Sequence, residues 1–185
     1  VVGRYVGTQA LAAVGGSASQ ILNLIIGFFV GLSSGATVIV SQYYGAKEEQ
    51  GVSRAVHTAM ALALICGALM TVAGLLCAPQ MLQWMDTPED TMADSTLYLR
   101  IVFLSMIPSM LYNVGSSIQR AVGDSRSPLY FLIAACLVNV VLDLVFVLAL
   151  DMGVEGVAIA TSLAQLTSAV LVCRSLSRAH DCYRL

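Results

Sequence analysis

The stretch 128–151, PLYFLIAACLVNVVLDLVFVLALD, decides the fold. From Leu129 to Leu150 it is an apolar run of the length that lets a helix cross hydrocarbon, roughly 20 residues. Two polar residues interrupt its middle, Asn139 and Asp143. Four residues apart on a helix, they stand one turn apart on the same face. A carboxylate near the centre of a spanning helix costs roughly 2.5 to 3.5 kcal/mol on insertion scales, so it turns toward the bundle interior or a wet cavity, where ions, protons or substrates pass. Asp143 is therefore the leading functional candidate. The plainer alternative is a hydrogen bond to a neighbouring helix and nothing more.

Outward from that stretch the whole chain reads the same way. Hydrophobic residues make up 58% of it and charged residues 11%, with a mean hydropathy of +0.83, against about 25% charged in an average soluble domain. Spanning runs are expected at about 18–40, 52–78, 98–122, 129–150 and 154–172, which predicts an all-α, polytopic membrane bundle. A net charge of −2 supplies no basic field for nucleic acid. Cys66, Cys77, Cys136, Cys173 and Cys182 show no metal-ligand spacing and read as small packing residues, and neither His57 nor His180 has a partner pattern. No nucleophile, base and orienter set and no cofactor motif points to an enzyme.

Taken in order, the chain begins without an initiator methionine or a cleavable leader and reads as a fragment. A first helical segment is expected from Gln9 to Tyr44, with Gly27, Gly31 and Gly35 as a small-residue stripe that lets a neighbouring helix approach; a ligand path along these glycines is the alternative. Pro79 is expected to end the second span. In TPED, Thr87 reads as a helix cap, with Pro88 at the first position and Asp90 closing a capping box. Pro108 should bend the third span near its middle. In GDSRSP, Gly123 reads as a left-handed cap and Ser127 as the cap of the next helix. Thr161, Ser162 and Gln165 interrupt the last span, where hydroxyls commonly bond their own helix.

Charge placement predicts orientation. Lys47, Arg54, Arg120, Arg126, Arg174, Arg178 and Arg184 fall at one set of span ends, and only Arg4 and Arg100 at the other. The basic side is expected to be cytoplasmic, which puts the C-terminus inside and Val1 outside. That implies a further spanning helix upstream, and six helices are half of many transporters built from repeats.

Three stretches in order, GTQALAAVGG (7–16), GLSSGATVIVSQYYGAK (31–47) and IQRAVGDSRSPLY (118–130), resemble the multidrug and toxic compound extrusion (MATE) transporters. The resemblance covers nearly the whole chain. It implies helices two to six of a twelve-helix, two-lobe transporter, with residues 1–172 in the N-terminal lobe and 173–185 starting the cytoplasmic linker between lobes. Carried over by position, Asn139 and Asp143 match an asparagine and aspartate of the family's fifth helix, and Thr161 a threonine of its sixth. These form the family's cation or proton site, together with a first-helix aspartate that has no counterpart here. Asn113 is implied as a further lining residue.

The activity implied is antiport in the plasma membrane: export of cationic amphipathic drugs or toxins in exchange for Na+ or H+. No cofactor is implied, and no metal beyond Na+ held by Asn139, Asp143 and Thr161. The partners implied are small cationic substrates, the lipid bilayer, and the first helix and C-terminal lobe. Two other readings stay open: a lipid-linked oligosaccharide flippase of the same superfamily, and a truncated, non-transporting membrane fragment.

Overall fold

The computed structural model describes residues 15–178, all of whose regular structure is helical. Helices α1 (Ser17–Gly45), α2 (Glu49–Trp84), α3 (Glu89–Leu104), α4 (Met106–Ala121), α5 (Arg126–Leu144) and α6 (Val154–Ser177) follow one another through short connections. A five-residue π turn, Val145–Ala149, extends α5. Four helices are long and apolar enough to cross a membrane, and α3 with α4 forms a fifth, broken span bent by 49°. The expected all-α membrane bundle is what the chain forms. The stretch 7–16 lies mostly outside the described residues, as do Arg4, His180, Cys182, Arg184 and the tail from 179.

Helix α4 is the hub. It packs against α1, α2 and α6, while α5 leans chiefly on α6 and α3 wedges between α2 and α6. The hub is closed around Met110, Val114 and Ile118, all fully buried and spaced one turn apart on α4. At its last turn Gln119, also buried, donates from Nε2 to Ser175 Oγ at 2.8 Å and ties α4 to α6. The outward faces carry Leu24, Leu69, Leu76 and Leu137, well exposed in the bundle and suited to lipid.

Helix α2 shows where sequence punctuation yields to packing. It runs straight through Pro79 to Trp84 rather than stopping at Ala78. Proline inside a helix costs about 3 kcal/mol through its missing N–H and its clash with the preceding turn. Burial on both sides offsets that cost, since Ala78 and Leu82 are completely shielded in the core. Trp84, 77% exposed, then stands at the helix end, as an interfacial tryptophan would. Helix α6 similarly continues to Ser177, past Val172, because Val172 and Leu176 still face the core.

Among the described residues, no helix packs against the glycine stripe of α1 as the expected seam would require. A methyl group added at Gly27, Gly31 or Gly35 would meet no described atom within 4 Å. The reason is competition between faces: Ile21, Ile25 and Phe29 bury nearly completely on the other side of α1, and large apolar groups gain more from burial than glycines do. The close approaches occur instead at Gly67 and Gly74 of α2. A Cβ at Gly67 would lie 2.8 Å from the Ile107 backbone, and one at Gly74 would collide with the Phe103 ring.

The bend expected from Pro108 is present, displaced to Ser105. Proline at 108 disrupts the bond to the carbonyl four residues back, Leu104, so α3 ends there. The Ser105 amide turns to the Val102 carbonyl at 2.9 Å, a tighter i−3 bond, instead of to Ile101. Neighbouring helices occupy the carbonyls at the break: Ser162 Oγ donates to Ile101 O at 3.2 Å and Thr71 Oγ1 to Phe103 O at 2.9 Å. Irregular backbone at membrane depth is tolerated only when so satisfied.

Every connection except the break at Ser105 turns through one residue in the left-handed region: Lys47, Asp86, Gly123 and Asp151, with φ of 57°, 50°, 92° and 52°. Gly123 takes the role expected of it. Thr87 does not, because α3 begins at Glu89 with Pro88 as its cap residue and the Thr87 hydroxyl is buried without a partner. Nor is Ser127 the cap of α5. That helix begins at Arg126, and Asp124 Oδ1 accepts the backbone N–H groups of Arg126 at 3.2 Å and Ser127 at 3.1 Å. A carboxylate satisfies two of the donors left over at a helix start and meets the positive end of its dipole.

Partial burial raises the Asp124 pKa, but the bonds from Ser127 and Arg126 and the Arg126 charge outweigh it and hold the group below the ordinary carboxylate value. A depressed folded pKa means stability that is present above the unfolded value and lost as pH falls through the folded one. Asp124→Ala is therefore expected to lower stability at neutral pH by about 0.5 to 1 kcal/mol, the usual loss of a helix cap. The difference from wild type should close below pH 4, followed by thermal melts of purified protein. A gap that persists in acid would remove the cap from the account.

Candidate functional site

Helix α5 presents one face inward. Along it Pro128, Ala135, Asn139, Asp143 and Val147 are buried or half-buried, while Leu137, Val140, Val141 and Leu144 are exposed. The two polar residues therefore share the face packed toward α6, as their spacing requires. Facing Asn139 is a cavity of about 370 Å³ between α1, α4, α5 and α6. Asn139 and Thr161 line it from α5 and α6, and Asn113 lines it from α4. Asp143 does not line it and stands one turn further along α5.

The surroundings of these groups suit a small cation or a proton. Asp143 Oδ1 is buried with no hydrogen-bond partner, an expensive state for a carboxylate oxygen unless something fills it. Thr161 Oγ1 donates its proton to Val157 O at 2.9 Å, which leaves the oxygen lone pairs free to accept a bond or ligate a hard cation. Asn113 Nδ2 donates to Ser109 O at 2.8 Å, so its carbonyl oxygen remains as an acceptor. Tyr98 of α3 lies within electrostatic range of Asp143 and is the titratable neighbour that α3 supplies.

The cavity also holds polar residues that the sequence did not single out as a site. Tyr112 and Ser109 contribute from α4, and Gln165 and Ser168 from α6. Tyr112 donates to Pro128 O at 3.2 Å and ties α4 to the first turn of α5. Thr161, Gln165 and Ser168 fall at i, i+4 and i+7, a helical row legible in principle in the sequence. Against the high base rate of hydroxyls that only bond their own helix, that row gave no separate signal. A second cavity of about 460 Å³ lies between α1 and α2, with Gly35, Leu32 and Leu62 in its apolar wall and Glu48 and Arg54 at its charged end. It contains none of Asn113, Asn139, Asp143 and Thr161, but Gly35 in its wall is one of the three glycines for which a ligand path is the alternative reading.

A polytopic helical bundle with a half-buried carboxylate and an amide- and hydroxyl-lined cavity has the build of one lobe of a membrane transporter. The chain belongs to the MatE family, whose pattern it matches over residues 1–145. It is 34% identical over 164 residues to the probable multidrug resistance protein YoeA of Bacillus subtilis, covering 86% of this chain and 35% of that protein. It superposes on a solved structure of MATE in the bent conformation with a TM-score of 0.91, at 26% identity, over 98% of this chain and 41% of that one. An inward-facing multidrug resistance MATE family transporter of the MOP superfamily gives a TM-score of 0.89 at 26% identity, over 95% of this chain and 40% of that one. The chain thus spans roughly a third to two-fifths of the proteins it matches.

Proposed function

We propose that this chain is part of a secondary active antiporter that exports cationic amphipathic compounds in exchange for Na+ or H+. The observation that supports it most is the buried, unpartnered Oδ1 of Asp143, one turn from an asparagine that opens onto a polar cavity. In this reading Asp143 takes and releases the coupling ion, with Asn139 and Thr161 as neutral oxygen donors. Occupation changes the local charge and biases the lobe between two packings, which is all that a coupling ion must do. Asn113 lines the path of the exported compound. The basic helix ends lie in the cytoplasm and the bundle in the plasma membrane.

Among the described residues no cationic side chain lines the cavity, so they offer a polyphosphate-bearing lipid no counter-charge, and the flippase reading gains no support from them. The test is efflux of ethidium from cells expressing the whole gene product, with a proton gradient and a sodium gradient imposed separately. Efflux that follows one gradient names the ion. Ethidium retention equal to that of control cells under both gradients would overturn the reading.

A further inference from the structure

Several features converge on the break at Ser105. On one side of it, Gly67, Thr71 and Gly74 fall at i, i+4 and i+7 of α2 and form a single track. Gly67 and Gly74 let the Ile107 backbone and the Phe103 ring come against that track, and Thr71 bonds Phe103 O between them. On the other side, Ser162 of α6 bonds Ile101 O. Both hydroxyls are shared. Thr71 Oγ1 also lies 2.9 Å from Gly67 O, and Ser162 Oγ 2.9 Å from Ala158 O, each the carbonyl one turn back on its own helix.

A hydroxyl carries one proton, so each has two acceptors competing for one donor. Releasing the carbonyl at the break leaves the hydroxyl satisfied on its own helix, and the rearrangement orphans no donor. The break is thereby held by bonds whose exchange releases one carbonyl and no donor. Its two arms have different surroundings: α4 lines the cavity through Ser109, Tyr112 and Asn113, whereas α3 contributes nothing to the cavity wall. Ser162 directly follows Thr161, so adjacent residues of α6 touch the cavity and the break.

We propose that the bend at Ser105 is a joint through which the polar cavity and Asp143 set the tilt of α3, with Thr71 and Ser162 as the positioning residues that select its angle. The proposal rests on the reading of Asp143 as the coupling carboxylate. A change of packing there passes along α5 to α6, and α6 packs against both arms of the joint. Rotation or sliding of α6 moves Ser162 relative to Ile101 O and shifts the balance between its two acceptors.

The joint can be read directly as a distance. In the whole gene product, with its cysteines replaced, spin labels at Asp94→Cys on α3 and Glu155→Cys on α6 report the position of the free end of α3. That end is about 16 Å from Ser105 at 1.5 Å per residue, so a tilt of about 15° moves it by about 4 Å. Asp143→Asn is expected to shift the distance by that order, and in a Thr71→Val, Ser162→Ala background the same change should produce no further shift. The conservative pair Thr71→Ser and Ser162→Thr should restore the response.

An equal shift in both backgrounds overturns the role of the two hydroxyls. No shift in either background overturns the joint. Ethidium efflux of Asp143→Asn, measured in parallel, keeps the two ideas apart. Efflux lost without a change in distance leaves Asp143 as the coupling group and removes the joint, whereas efflux retained removes the underlying reading as well.

Discussion

Asp143→Asn, inserted in the membrane at the wild-type level, is expected to reduce gradient-driven ethidium efflux to that of cells without the transporter. The substitution keeps the shape of the side chain and its place on α5 but abolishes its charge and its ability to gain or lose a proton. An ion that binds two conformations equally shifts nothing, however tightly it binds, so coupling needs a group whose interaction with the ion differs between states. Among the described residues the one carboxylate with a buried, unpartnered oxygen is Asp143. Asp143→Glu, which keeps the charge one methylene further out, should retain part of the activity. Undiminished efflux by the asparagine variant under either gradient would return Asp143 to a structural role.

The largest effect on folding should come from Gly67→Ala. The new Cβ would lie 2.8 Å from the backbone of Ile107, and a backbone atom cannot swing aside as a side chain can. Overpacking of this kind costs about 1 to 3 kcal/mol, and here it also pushes α2 away from the Thr71 bond. Gly31→Ala is the matched control. It meets open space, and alanine favours a helix over glycine by up to about 1 kcal/mol, so the variant should be neutral or more stable. Thermal midpoints and the yield of monodisperse protein, compared for the two, decide the matter. Equal losses would restore the α1 stripe as a packing seam.

What could be read in the sequence followed from strong physical terms. Apolar runs of spanning length announced the bundle, because burying their charges or exposing their backbone in lipid is so costly. The pairing of Asn139 with Asp143 on one face needed only the helical repeat, and the bend near Pro108 only a missing N–H. What was not legible depended on which of several competing contacts wins. Pro79 looks like a stop until Ala78 and Leu82 are seen to be buried on either side of it. Gly27, Gly31 and Gly35 look like a seam until Ile21, Ile25 and Phe29 are seen to claim the opposite face. Ser127 lost the cap of α5 to Asp124, whose carboxylate reaches two backbone donors at once. Gln165 and Ser168 joined Thr161 in the cavity wall by a spacing that many structural hydroxyls also show.

The π turn at Val145–Ala149 gives the chain an uneven tolerance for changes in its own length. A π turn holds one residue more than the α-helical turn it replaces. Loss of a single residue between Val145 and Ala149 can therefore be absorbed by tightening to an ordinary turn, with Asn139 and Asp143 left in place and the loop to α6 only slightly redirected. The same loss between Asn139 and Asp143 has no slack to draw on and would swing the carboxylate by about 100° around the helix, away from α6. Related chains should accordingly vary in length after Asp143 and keep a fixed spacing before it, so that an alignment gap is expected at 145–149 and not at 140–142.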